Sequence, residues 1–202
     1  MKMSFPMRMS FPRKRESRLL VAAAAILLAS CGGSPVKENF YTLSGPQAPM
    51  PAASANPRSI FVGPVTVPES VDRLPMVLRT AANQVEISDA HRWAEPLKAS
   101  IPRVLAETLM REMATPNVRY TRAGSPLDAD FRVAVEVQRF ESSLTQGATV
   151  DALWTVTPRQ GTPRSGRSTV SEPPASADPG GVAAAHSRAL ERVGREIAAA
   201  MK

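Results

Sequence analysis

The run Leu19 to Leu28, LLVAAAAILL, followed directly by Ala29-Ser30-Cys31, constrains this chain more than any other stretch. Arg13, Lys14, Arg15 and Arg18 precede it as a basic segment. A basic segment, a short apolar core and a small-residue site are the parts of an export signal that is removed from the mature chain. A membrane-spanning helix needs roughly 20 apolar residues, and this run meets Ser30, Cys31, Gly32 and Gly33 well before that. Residues 1–30 are therefore read as a signal peptide, with the folded body downstream. Translation from Met1 or from Met9, which lies in the near-repeat Met3-Ser4-Phe5-Pro6 and Met9-Ser10-Phe11-Pro12, leaves the basic segment whole.

Leu28-Ala29-Ser30-Cys31 resembles the lipobox of bacterial lipoproteins. The resemblance implies a cut just before Cys31, a diacylglycerol on its sulfur and an acyl chain on the new amino group. Cys31 is the only cysteine in the chain. Each buried methylene contributes ~0.8 kcal/mol and one chain alone holds a protein marginally, so two or three chains on Cys31 would anchor it durably. Gly32 and Gly33 follow the cysteine, in place of the Asp that retains such proteins in the inner membrane. That similarity implies the periplasmic face of the outer membrane.

Cleavage before Cys31 removes 30 of 202 residues and leaves 172, enough for one ordinary domain and a tail. The formal charge of +7 falls to about +2, because residues 1–30 hold six basic groups against Glu16 alone. The basic character therefore gives no argument for nucleic acid. With Cys31 acylated no thiol is left for a disulfide or a thiolate metal cluster.

Residues 31–39 read as a flexible leash and 40–202 as one domain. Asn39 to Leu43 is the first β-prone run, and the Pro-, Ala- and Ser-rich stretch 44–58 reads as loop. Ser59 to Val67 is a strand broken or bulged at Gly63-Pro64. Met76 to Thr80 and Gln84 to Ser88 are short strands joined by a tight turn. A helix pattern follows from Trp93, with Leu97, Ile101, Val104, Leu105 and Met113 at helical spacing. Pro96 suits its first turn, whereas Pro102 predicts either a start near Ser100 or a kink.

Val118 to Thr121 is a short strand. Asp130 to Ser142 alternates strictly, with Phe131, Val133, Val135 and Val137 on one face. Thr149 to Thr157 is its expected antiparallel partner, and Arg167 to Val170 offers a third strand. Trp154 is expected to be largely buried, and Trp93 to begin the first helix and seal its end. Val182 to Met201 is a helix whose stripe is Val182, His186, Ala189, Val193 and Ile197. The order predicts an α/β fold: a single domain with a mixed β-sheet and two principal helices.

The search for catalytic groupings is nearly empty. His186 falls in an apolar stripe and reads as a packed histidine. His91 has no nucleophilic Ser elbow to serve. No phosphate-cradling loop or metal-ligand spacing is present in the sequence, so no cofactor, no metal and no enzyme activity are expected.

Several residue groups, taken in order, carry a family resemblance. After the lipobox come Phe40-Tyr41-Thr42-Leu43 and Val62-Gly63-Pro64-Val65-Thr66-Val67-Pro68. Val71-Asp72-Arg73, Val77-Leu78-Arg79 and His91-Arg92-Trp93-Ala94-Glu95-Pro96 follow, then Val137-Gln138-Arg139-Phe140 and Asp151-Ala152-Leu153-Trp154. The sequence resembles the ABC-type transport auxiliary lipoproteins. The resemblance implies a small anticodon-binding-domain-like α/β fold and work with an MCE-domain protein and its inner-membrane transporter. It also implies lipid transport between the two membranes and a part in envelope integrity. The alternative is a stand-alone periplasmic lipoprotein that binds a small amphiphile or scaffolds the envelope. Arg73, Arg79, His91 and Arg92 lie around the hairpin and its exit; the ordinary reading of such charge is a solvated face, and the functional reading is a partner-facing rim. Closed symmetry satisfies every interface of a cap on a ring-shaped channel, so a homo-oligomeric ring is expected.

Overall fold

The computed structural model describes residues 37–120 and 128–202. The signal segment, Cys31 and most of the leash lie outside the described residues. In chain order the elements are β1 (Asn39–Tyr41), β2 (Ile60–Thr66), β3 (Pro75–Ala81) and β4 (Gln84–Trp93). Then come helix α1 (Leu97–Glu112), β5 (Val118–Tyr120), β6 (Phe131–Ser143), β7 (Gly147–Pro158), β8 (Arg164–Glu172) and helix α2 (Pro179–Ala199). The expectation of a single domain with a mixed sheet and two principal helices is borne out.

β6 is the spine. One edge pairs antiparallel with β7 along its whole length, and β7 carries β8 on its far side. The other edge is shared. β2 runs parallel to its first half, from Ile60 opposite Phe131 to Thr66 opposite Glu136. β3 meets its far end, with Leu78 opposite Ser142. β5 extends the sheet beyond β2, and β1 extends it beyond β4.

Val133, Val135 and Val137 turn inward as their alternation predicts, and are at most 3% exposed. The alternation is not strict to the end. Val137 faces Ala152, yet Arg139 already faces Asp151, so two β6 residues match one on β7. This bulge reverses the faces and turns Phe140 and Ser142 into the core, where both are buried.

α1 and α2 complete the core with Leu97, Ile101, Val104, Leu105 and Leu109 from one helix and Val182, His186, Ala189, Val193 and Ile197 from the other. They touch closely at Gly194, where a Cβ would stand 2.7 Å from Thr108 Cγ2. The Asp178 carboxylate caps α2 by accepting the Gly181 N–H at 2.8 Å. α1 begins at Leu97 after Pro96 and carries Pro102 inside, where it is buried, rather than starting near Ser100.

The position of Trp93 needs correction. Trp93 is the last residue of β4 and not the start of a helix, though it is only 4% exposed. Trp154 is partly buried and packs against the core, short of full burial. Its ring covers Gly166 across the β7–β8 pair, where a Cβ would fall 2.3 Å from Trp154 Cζ2. Its indole N–H donates to Ser168 Oγ at 3.0 Å.

Candidate partner-facing site

Ala82-Asn83 closes the β3–β4 hairpin, with Ala81 opposite Gln84, Arg79 opposite Val85 and Val77 opposite Ile87. Opposed residues share a face, so Val77, Arg79, Val85 and Ile87 stand together. Val85 is 53% and Ile87 48% exposed, which leaves an apolar pair on open surface. A cavity of about 130 Å³ lies beside them, walled by Pro68, Val71, Val77 and Glu141.

Arg79 holds the hairpin tip. Its guanidinium donates to Glu141 Oε1 at 2.7 Å and to the Ala82 carbonyl at 2.7 Å. Its Nε is buried with no acceptor.

The exit strand bends before it reaches the core. Ser88 Oγ accepts the N–H groups of Ala90 and His91, at 3.3 and 3.1 Å. The β3–β4 register jumps from Val77–Ile87 to Pro75–Arg92 across that turn. The last residues of β4 then pair with β1, with His91 opposite Asn39 and Arg92 opposite Phe40.

His91 Nδ1 and the Tyr41 hydroxyl share a hydrogen bond of 2.8 Å. Partial burial, and then the Asp178 charge, raise the pKa of Tyr41, so the hydroxyl keeps its proton. Arg92 Nε lies 2.9 Å from Glu38 Oε1, but its N–H is not aimed at the carboxylate, so this is a charge contact without a hydrogen bond. Arg73 is exposed and makes no ion pair among the described residues.

The four residues read as a rim are thus divided. Arg73, His91 and Arg92 lie at the base of the hairpin, and Arg79 at its tip. Val85, which faces Arg79, is seven residues from Arg92 along β4, up to ~23 Å at the rise of an extended strand. Cys31 lies outside the described residues.

His186 and Ser142 are also hydrogen-bonded, Nε2 to Oγ at 2.8 Å. Burial depresses the imidazole to about 3, and its Nδ1 has no partner. A general base works best with a pKa near the operating pH and an orienting partner. His186 has neither, and this pair reads as core.

Among the described residues no helix is long and apolar enough to cross a membrane. No group of three His, Cys, Asp or Glu there could hold a metal ion.

Comparison with known proteins supplies what this surface alone does not. The sequence is 29% identical over 140 residues to the intermembrane transport lipoprotein PqiC of Escherichia coli K12, covering 67% of this chain and 71% of that protein. The Shigella flexneri PqiC matches to the same extent. A crystal structure of a Xanthomonas campestris protein superposes with a TM-score of 0.65 at 20% identity, covering 81% of this chain and 94% of that one. A second, described as an uncharacterized protein, gives 0.66 at 18% identity, covering 82% and 99%. These two show the fold. The profile of the ABC-type transport auxiliary lipoprotein component family matches residues 41–198, from β1 to the end of α2. Because that match runs through the whole described domain, the chain belongs to the ABC-type transport auxiliary lipoprotein component family.

Proposed function

We propose that this chain is a non-enzymatic lipoprotein subunit of an MCE-type lipid transport system, anchored through Cys31 to the periplasmic face of the outer membrane. The observation that carries this reading is the family match across 41–198. The likeness to an intermembrane transport lipoprotein supports it. In this reading the acylated Cys31 holds the domain at the membrane, and the domain docks the tip of an MCE channel fed by the inner-membrane transporter. Exposing acyl chains to water costs about 25 cal/mol per Å², so a lipid crossing between channel and membrane needs a covered path. A homo-oligomeric ring of these domains would supply one. The exposed Val85 and Ile87, with Arg79 beside them, offer the MCE-domain protein an apolar patch flanked by a guanidinium.

The test is cross-linked capture of the full, acylated chain from its native envelope. Enrichment of an MCE-domain protein is expected. Its absence, with only outer-membrane proteins recovered, would overturn the reading in favour of a stand-alone envelope lipoprotein.

A further inference from the structure

At the opposite end of the sheet from the Ser142–His186 contact lies a second cavity, of about 550 Å³. It sits where the start of β6, the β7–β8 turn and the end of α2 converge. Arg58, Arg159 and Arg164 line it, with Gln160 and Thr162 from the turn between them. Phe131, Val156 and Met201 form the apolar part of its wall. Two stretches far apart in sequence, the segment before β2 with Arg58 and the β7–β8 turn with Arg159 and Arg164, thus bring three guanidinium groups to one concavity.

Their lack of carboxylate partners is the informative observation. Among the described residues eight arginines lie within 4.0 Å of a carboxylate oxygen. None of these three does. The one acid in the wall, Asp130, accepts the Ser59 N–H at 2.8 Å and the Ser59 hydroxyl at 2.9 Å on its Oδ2. Those bonds first, and the charges of Arg58 and Arg159 after them, hold its carboxyl ionised, so it offsets one of the three positive charges. Arg164 donates one N–H to the Ala200 carbonyl at 2.8 Å. That contact positions the side chain at the end of α2 and leaves the rest of its five donors unspent. The cavity therefore carries a net positive charge and many free N–H donors.

From this juxtaposition we infer that the cavity binds a phosphate-bearing anion, held by Arg58, Arg159 and Arg164. Guanidinium forks match phosphate oxygens in pairs, and Gln160 and Thr162 add neutral hydrogen-bonding groups for a polar substituent. The volume lies within the ~300–1,000 Å³ typical of small-molecule sites. It exceeds what inorganic phosphate fills and suits a phosphate with a small polar head, such as the glycerophosphate headgroup of an anionic lipid. α2, whose 21 residues span ~31 Å, begins beside Tyr41 and ends at this cavity. The site is thus a helix length from where β1 receives the leash. This inference stands apart from the docking role, since anion binding can be present with partner capture absent.

Calorimetric titration of the full chain with soluble dihexanoyl phosphatidylglycerol, and separately with inorganic phosphate, tests it. Binding of the lipid is expected, with Kd raised at least tenfold in Arg159→Ala and in Arg58→Ala. Arg195→Ala, on the exposed face of α2 outside the cavity, should match the wild type. Unchanged thermal melting of the variants separates loss of the site from loss of the fold. Displacement of the lipid by millimolar phosphate assigns recognition to the phosphate itself. Lipid binding that resists phosphate but is lost in Arg159→Ala assigns it to the whole headgroup. Either result supports the site. No binding of either probe, or wild-type affinity in both arginine variants, overturns it.

Discussion

The imidazole of His186 lies flat on the ring of Phe140, with centroids 3.8 Å apart and planes 8° from parallel. Trp93 meets both rings edge-on, at 6.1 Å from Phe140 and 6.0 Å from His186. The stack depends on the β6 bulge, because an unbroken alternation would send Phe140 to the opposite face of the sheet. One inserted residue therefore decides what the second helix packs against.

This stack sets a pH dependence. Burial depresses His186 to about 3, against an ordinary value of about 6.5, so between those values the unfolded chain binds a proton that the folded chain refuses. Stability is fully present above pH 6.5 and falls as the pH drops toward 3, with a slope approaching about 1.4 kcal/mol per unit. Asp151, held low first by its bond from Arg167, and Glu172, held low first by Arg192, add their own losses only below the carboxylate range near 4. Urea unfolding between pH 6.5 and 5 should therefore show a slope that His186→Leu abolishes.

The closeness of the two helices at Gly194 leaves no room for a branched side chain. Gly194→Val should destabilise the domain by about 1–3 kcal/mol through overpacking against Thr108. The loss should be read as a lower urea midpoint.

Trp154 contributes less than a fully buried aromatic would. Complete burial predicts a loss of ~3–5 kcal/mol on truncation. With the ring only partly buried over Gly166, Trp154→Ala should cost about 2 kcal/mol instead. Equilibrium unfolding distinguishes the two values.

The hairpin patch separates docking from folding. Ile87→Asp places a charge on open surface and should change stability by no more than about 0.5 kcal/mol. In the same variant, capture of the MCE-domain protein should fall sharply. Charge reversal at Arg79 is a poorer probe, because it sets two carboxylates against each other at Glu141.

The anchor is tested at Cys31. Cys31→Ser should abolish incorporation of radiolabelled fatty acid and leave an uncleaved or mislocalised precursor. Equal labelling of the variant would overturn the lipobox reading.

Much of this fold can be read locally. The alternation of Val133, Val135 and Val137 and the stripe from Val182 to Ile197 each report a face that the structure buries. The failures share one cause. Alternation tells which side chains stand together but not whether anything covers them, and Val85 and Ile87, which alternate in a strand, lie open. The helices cover Trp154 only in part. Asp151 points to the outer face yet is buried, because Arg139 and Arg167 close over it from neighbouring strands. Pairings of that kind, like the approach of Arg58 to the β7–β8 turn that carries Arg159 and Arg164, arise from strand order and leave no trace in spacing.

The shared edge of β6 also divides the sheet mechanically. β7 is laced to β6 along its whole length, whereas β3 reaches it in register only at Leu78 and Ser142, reinforced by the Arg79–Glu141 ion pair. Met76 and Trp93 root the base of the hairpin in the core, but its outer turns have little beneath them. Few contacts of this kind are what lets a segment open locally, so amide hydrogen exchange should show the tip opening below the free energy of global unfolding, without loss of the β6–β7 pairing. A protein that docks there would then meet a yielding flap, attached to β6 by one backbone register and one ion pair.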